Sequence, residues 1–88
     1  MNLEQRKLAR NALGLSLGTT RSYRNRYFCS EGCQAHQEWQ QMIAAGEAAK
    51  AAPNGKMDMF YLTHAAALAV LEADETLDPE DFPNDRLD

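Results

Sequence analysis

Three residues of types that ligate metal ions lie close together in the chain, namely Cys29, Cys33 and His36. If a helix begins near Ser30, Cys33 and His36 lie one turn apart on one side of it, and Cys29 comes just before its first turn. With His64 or a carboxylate as the fourth ligand, these residues would form a small zinc site. Their spacing differs from that of zinc knuckles and ribbons, and a buried free cysteine beside a histidine is the commoner arrangement. Zinc binding is therefore the third of three functional hypotheses.

The same cysteine and histidine are also the residue types of a nucleophile and its base. Neighbours three positions apart on one helix rarely flank a substrate, however, and a chain of 88 residues has little material for a pocket with an oxyanion hole. We therefore predict that the protein is not an enzyme, and that it has no catalytic residues and no cofactor apart from the zinc ion considered above.

The strongest candidate binding surface is a stretch of alternating arginines and tyrosines, residues 21–27. Arginine binds phosphate in a bidentate manner, asparagine can read a base edge and tyrosine can stack on a base. In the alternative interpretation, Tyr23 and Tyr27 belong to the core and the arginines pair with acidic side chains of the same chain. The first hypothesis is thus a nucleic-acid-binding module, and its predicted contact residues are Arg21, Arg24, Asn25, Arg26, Lys50 and Lys56.

Charge is distributed unevenly along the chain. Residues 1–28 contain six basic side chains and one acidic side chain, whereas residues 29–88 contain three basic and twelve acidic side chains. The net charge of −4 therefore conceals an internal polarity, and such asymmetry is typical of a partner surface or an interaction tail. The second hypothesis is accordingly a protein-interaction module that uses the acidic tail or the apolar face of a hairpin, without nucleic acid.

Two helices are predicted in the first half of the chain. Asn2 is a suitable N-cap with Gln5 three positions later, and Gly14 suits the left-handed residue that ends a helix over residues 2–13. A second helix is predicted from about residue 30 or 32 to residue 45, with Trp39 and Met42 in its apolar stripe. Residues 15–28 fit either an extended segment or a short irregular helix, and the periodicity leaves that choice open.

The second half of the chain contains a hairpin pattern followed by a third helix. Asn54-Gly55 favours a tight primed turn between residues 47–52 and 57–62. Thr63 is a suitable cap for a helix over residues 64–73, with Leu68 and Leu71 on its inner face.

These elements predict an α+β fold of three helices and one β-hairpin, with residues 1–73 as a single compact domain. Residues 74–88 are rich in acidic residues and contain two prolines, which predicts a flexible acidic tail. As an alternative for part of that tail, Asp78-Pro79 would begin a single turn that packs Phe82 against the domain.

The order of elements over residues 38–71 resembles the second half of a winged helix. Phe60-Tyr61-Leu62-Thr63 resembles the aromatic-x-Leu-Thr-x-x-Gly junction of many winged-helix proteins, with Ala66 at the glycine position. A helix-turn-helix also requires a helix shortly before the one that contains Trp39. The winged-helix resemblance implies a fold that often binds nucleic acid.

The chain as a whole resembles small uncharacterised phage and prophage proteins of Gram-negative bacteria. The resembling segments are residues 9–15, 22–26, 39–46 and 60–63, so the resemblance extends over residues 9–63, about two-thirds of the chain. This resemblance implies a phage or prophage accessory protein without implying an activity. No apolar run approaches the roughly 20 residues that span a bilayer, so we expect a cytoplasmic protein that does not associate with membranes.

Overall fold

The computed structural model describes residues 1–15, 19–51 and 57–82. The first helix, α1, spans Leu3–Leu13. Its N-terminus is a capping box, because the Gln5 amide donates to Asn2 Oδ1 at 2.8 Å and the Asn2 amide donates to Gln5 Oε1 at 3.0 Å. Gly14 has a φ of 78°, and the Leu15 amide donates to the Arg10 carbonyl at 3.0 Å, which completes a Schellman ending. Both predicted helix ends are confirmed.

The chain that follows α1 is extended over its described part and packs against the end of that helix. The amides of Tyr23 and Arg26 donate to the carbonyls of Leu13 and Ala12, at 3.2 and 3.0 Å. This segment leads into β1, Tyr27–Cys29. Of the two conformations that periodicity left open for residues 15–28, the described residues form no helix, and only Tyr27 and Phe28 among them belong to a strand.

A three-stranded antiparallel sheet has the order β1-β3-β2, where β2 is Ala48–Lys50 and β3 is Asp58–Leu62. Ala48 is paired with Leu62, so the predicted pairing of the two hairpin strands is confirmed. The predicted Asn54-Gly55 turn lies outside the described residues. The sequence pattern missed β1, which pairs with β3 with Phe28 opposite Met59.

The two remaining helices are shorter than predicted. Helix α2 spans Gln34–Ala44, so Cys33 is its N-cap and lies outside the helix. Helix α3 spans His64–Ala69, and the Thr63 hydroxyl caps it by accepting from the Ala66 amide at 3.2 Å. The prediction for Leu68 was wrong. Its side chain is 51% exposed, whereas α3 buries Ala66 and Ala67 and the chain then buries Val70.

The core is centred on Trp39 of α2, whose ring stacks on Phe60 of β3 with centroids 5.6 Å apart. The ring of Tyr27 of β1 also packs against the indole, with centroids 5.6 Å apart. Trp39, Phe60, Leu13 and Met42 are fully buried, so α1 and α2 cover one face of the sheet. The α+β class is therefore confirmed, with a three-stranded sheet in place of the single predicted hairpin.

The winged-helix pattern predicted for residues 38–71 is not confirmed. Between α1 and α2 the described residues form extended segments and β1, so no helix in that part of the chain precedes α2 to make a helix-turn-helix pair. Among the described residues, no helix is both long enough and apolar enough to cross a membrane.

Residues 74–82 lie against the body of the domain. Pro79–Asp81 form one turn of 3-10 helix, and Phe82 is buried against the His64 ring with centroids 5.0 Å apart. The alternative in which Asp78-Pro79 begins a turn that packs Phe82 is thus confirmed. Contacts with the domain continue past residue 73, where the sequence predicted its boundary, and the part of the predicted tail that follows residue 82 lies outside the described residues.

Candidate nucleic-acid interface

Arg21 is the first of the predicted contact residues, and an acidic neighbour neutralises it. Its Nη2 lies 3.7 Å from Asp78 Oδ1, and its backbone forms an isolated parallel bridge with Thr76. The next residue, Ser22, is buried, and its hydroxyl accepts from the Asp78 amide at 2.9 Å. Arg21 therefore anchors the C-terminal segment and contributes little free positive charge.

Arg24 is oriented by the end of α1 and has no acidic partner within the described residues. Its Nη2 donates to the Asn11 carbonyl at 2.7 Å, and its Nε donates to the same oxygen at 3.3 Å. The guanidinium lies over the ring of Tyr23, 5.3 Å from its centroid. Tyr23 is itself 61% exposed, which contradicts the alternative that places it in the core.

Asn25 has a structural role. Its Nδ2 donates to the Leu62 carbonyl at 3.0 Å, and its Oδ1 accepts from the Leu62 amide at 2.9 Å. The side chain of Asn25 thus hydrogen-bonds both backbone groups of the buried Leu62, which lies beyond the last β1–β3 pair, Tyr27 with Phe60. Both of its polar atoms are used, so we no longer assign base recognition to Asn25.

Arg26 and Phe28 extend the surface along β1. Arg26 is exposed and forms no ion pair in the described part of the chain, and Phe28 is 47% exposed on the face of the sheet that α1 and α2 leave open. Phe28 was not among the predicted contact residues. Its exposure depends on β1 lying at an edge with Phe28 opposite Met59, a pairing that local periodicity did not reveal.

Of the two predicted lysines, the structure describes only Lys50, which is not part of this surface. Lys50 lies on β2, the edge strand opposite β1, and its Nζ is 3.9 Å from Asp58 Oδ2. Lys56 lies outside the described residues. The structure therefore brings together Tyr23, Arg24, Arg26 and Phe28, which we call the arginine–aromatic surface.

Two adjacent depressions lie along the arginine–aromatic surface, and both are lined by Asn11 and Arg24. The first, of about 360 Å³, lies beside α1 and is also lined by Lys7 and Tyr23. The second, of about 310 Å³, is also lined by Arg26, Tyr27 and Phe28. Arg24 thus stands between two concave sites, each of which has an aromatic wall and a basic side chain.

The predicted zinc ligands are not assembled as a metal site. No group of three or more His, Cys, Asp or Glu side chains suited to a metal ion occurs among the described residues. Cys29 is buried and Cys33 is exposed, while His36 is buried on α2. Burial raises the pKa of the Cys29 thiol, and Cys33 and Asp58 raise it further. Cys29 therefore stays protonated more readily than an ordinary thiol.

His36 instead forms a structural pair with β3. Its Nε2 lies 2.8 Å from Asp58 Oδ2, and its ring contacts Phe60 edge-on at 5.2 Å. The hydrogen bond from His36 lowers the pKa of Asp58 despite partial burial, with a further contribution from Lys50. This pair connects the first turn of α2 to the sheet.

No protein-family model, curated protein or solved structure matches this chain. The functional argument therefore depends on the residues and their arrangement.

Proposed function

We propose that this domain binds single-stranded nucleic acid through the arginine–aromatic surface, as an accessory protein of phage or prophage origin. One observation carries the proposal. Arg24 and Arg26 form no ion pair in the described part of the chain, and exposed aromatic rings, Tyr23 and Phe28, lie beside them. A groove that combines cations with stacking rings is the usual means of holding an unpaired strand.

A single strand fits this surface better than a duplex does. The four side chains lie on an extended segment and an edge strand, and no helix presents them to a major groove. Aromatic stacking also requires bases that are not already stacked on both sides, as in loops and single strands. We therefore expect stronger binding of a single strand than of a duplex of the same length.

Arg24 is suited to hold a phosphate between two bases. The Asn11 carbonyl accepts from its Nε and Nη2, which orients the guanidinium, while Nη1 makes no hydrogen bond in the described structure. A phosphate would be held by Nη1 of Arg24 and by Arg26, and one base would stack in each depression, on Tyr23 and on Phe28. This arrangement binds the backbone and reads little sequence.

The test is a fluorescence-anisotropy titration with a labelled 12-nucleotide oligo(dT) and a labelled 12-base-pair duplex over a range of salt. R26Q should weaken binding of the single strand and reduce the slope of log K against log salt by about 0.7, the value for one phosphate contact. F28A should weaken binding by roughly fivefold to a hundredfold at all salt concentrations, since one stacked base contributes about 1–3 kcal/mol.

K50Q is the matched control, because it removes one positive charge from the opposite edge of the sheet. It should leave the salt slope nearly unchanged. Equal effects of R26Q and K50Q, or no binding of the single strand at 20 mM salt, would refute the proposal.

A protein-interaction module is the second candidate, and the open face of the sheet favours it. Met57 and Tyr61 of the β3 region are 45% and 37% exposed and continue the apolar surface from Phe28. In this case, Met57→Ser with Tyr61→Ser would abolish self-association or partner binding measured by sedimentation velocity, and R26Q would have no effect.

A further inference from the structure

A third concave site lies between α3 and the C-terminal segment, away from Arg24. The groove has a volume of about 390 Å³. Leu68 and Leu71 form one wall, and Leu77, Pro79 and Phe82 form the other. Leu68 is 51% exposed although it is a leucine on a helix that packs on the core. The groove is therefore an apolar surface that the described residues leave uncovered.

The polypeptide that forms this groove also contains most of the acidic residues of the described chain. Three of these acids have basic partners on the front of the molecule. Glu72 pairs with Arg6, Glu75 with Arg10 and Asp78 with Arg21.

The other three acids, Asp74, Glu80 and Asp81, form no ion pair within the described residues. Each of them is adjacent in the chain to a residue that lines the groove. Asp74 and Glu80 are exposed, so the segment that forms one wall of the groove has negative charge beside it that the described residues do not neutralise.

Asp81 shows the effect of this excess charge most clearly. Its Oδ2 is buried without a hydrogen-bond partner. Burial raises the pKa of Asp81, the charges of Asp78 and Glu80 raise it further, and the opposing effect of Arg26 is smaller. A buried carboxylate oxygen without a donor among the described residues is unfavourable, and the neighbouring acids add to that cost, so added positive charge near this segment would be favourable.

We propose that this groove binds a basic amphipathic segment of a partner protein. Apolar side chains of the segment would contact Leu68, Leu71 and Phe82, and its lysines or arginines would lie near the exposed Asp74 and Glu80. Charge complementarity selects this partner, because an apolar groove with negative charge beside it favours a segment that is apolar on one side and basic on its flanks. A symmetric second copy would instead bring identical negative charge against this one.

The probe is a labelled 14-residue helical peptide of leucine and lysine, compared with a peptide in which glutamate replaces every lysine. The lysine peptide should bind, and the glutamate peptide should bind at least tenfold more weakly at 50 mM salt. Leu68→Ser should weaken binding of the lysine peptide about tenfold, because the leucine side chain supplies exposed apolar area at the groove. Leu3→Ser is the matched control, since Leu3 is 67% exposed on α1 and should have no effect.

The double variant Asp74→Asn, Glu80→Gln tests the negative charge beside the groove. It should weaken binding several-fold at 50 mM salt and have little effect at 1 M salt, where the Debye length is only about 3 Å. In NMR titrations the lysine peptide should shift the amide resonances of α3 and residues 75–82 and leave those of β1 unchanged.

Three results would overturn the inference. The first is equal binding of the two peptides, and the second is an equal effect of the Leu68 and Leu3 variants. The third is concentration-dependent self-association that Leu68→Ser abolishes, which would assign the groove to a second copy. Oligonucleotide binding by the Leu68 variant should stay normal, so this test can fail independently of the proposed function.

Discussion

Replacing Glu75 with glutamine should destabilise the domain more than any other charge-removing change in the C-terminal segment. Glu75 accepts from Nη1 and Nη2 of Arg10 at 2.6 and 2.7 Å, and its Oε1 also accepts from the Glu72 amide at 2.8 Å. The Glu75 side chain is only 7% exposed and that of Arg10 is 17% exposed, so water screens the pair weakly. Bidentate pairs of this kind are among the stronger hydrogen-bonded contacts in proteins.

The magnitude follows from what glutamine can and cannot replace. Its single carbonyl oxygen can still accept one bond, but its NH₂ group faces an Arg10 donor and leaves that donor without a partner. Arg10 keeps its hydrogen bond to the Val70 carbonyl at 2.8 Å, so the guanidinium still has a hydrogen-bond partner. Losing one charge-assisted bond costs about 2 kcal/mol, and in a domain of this size that lowers the melting temperature by roughly 8–16 °C.

The pH dependence identifies the carboxylate as the source of this stability. The hydrogen bond from Arg10 lowers the pKa of Glu75 from 4.5 to about 2, with smaller contributions from the Glu72 amide and from Arg6. A folded-state pKa below the ordinary value means that the unfolded chain binds the proton more readily, so stability rises with pH. The contribution of Glu75 should be complete above about pH 5 and should disappear as the pH falls toward 2.

Urea denaturation of the wild type and of E75Q at a series of pH values measures this directly. Glu72→Gln is the matched control, because its carboxylate lies 3.7 Å from Arg6 with both side chains well exposed, and it should cost less than about 0.5 kcal/mol. A cost for E75Q no larger than that for E72Q at pH 7 would refute the reasoning. So would a difference from wild type that persists undiminished at pH 2.

Three further changes test other contacts. Asn25→Ala should lower the free energy of unfolding, measured by urea denaturation, by roughly 2–4 kcal/mol, because it leaves the amide and carbonyl of Leu62 without the Asn25 side chain as partner. A decrease of less than about 0.5 kcal/mol would contradict the structural role of Asn25. Gly14→Ala should lower the free energy of unfolding by at least about 1 kcal/mol, because Gly14 has a φ of 78°. It should also weaken oligonucleotide binding, because the new Cβ would lie 2.4 Å from the Tyr23 ring and displace it. Binding that stays normal would show that Tyr23 is not a contact. Asp58→Asn should destabilise the domain at neutral pH and progressively less below pH 3.8. The reason is that His36 lowers the pKa of Asp58, so that this carboxylate stabilises the fold only while it is ionised. A loss of stability that does not change with pH would show that the His36–Asp58 pair is not the source of the stabilisation.

The parts of the fold that the sequence predicted well are those with local causes. The capping box at Asn2 and the left-handed Gly14 act within one helical turn, so α1 was predicted at both ends. Strand β1 was missed because its pairing with β3 joins residues about 30 positions apart, and three residues of ambiguous periodicity reveal little about such a partner. Leu68 was misplaced because α3 is too short for a full apolar stripe and packs through two alanines.

The candidate site was predicted in part for the same reason. Residue types alone located the arginine-rich stretch, but only the tertiary structure distinguishes its members. Arg21 meets Asp78, Asn25 meets the backbone of Leu62, and Arg24 and Arg26 keep their charges without ion pairs in the described chain. The roles of Arg21 and Asn25 depend on partners at least 37 residues away in the chain, and those of Arg24 and Arg26 depend on having no acidic partner in the described chain. Local sequence patterns specify neither.

The internal charge polarity consequently has two separate effects in one molecule. Half of the six basic side chains of residues 1–28, namely Arg6, Arg10 and Arg21, pair with acids of the C-terminal segment, and the weakly exposed Arg10–Glu75 pair contributes most to holding that segment against α1. Arg24 and Arg26 form no ion pair within the described residues, so their charges stay available to a phosphate on the arginine–aromatic surface. One part of the basic charge thus contributes to the fold, and another part contributes to the proposed binding surface.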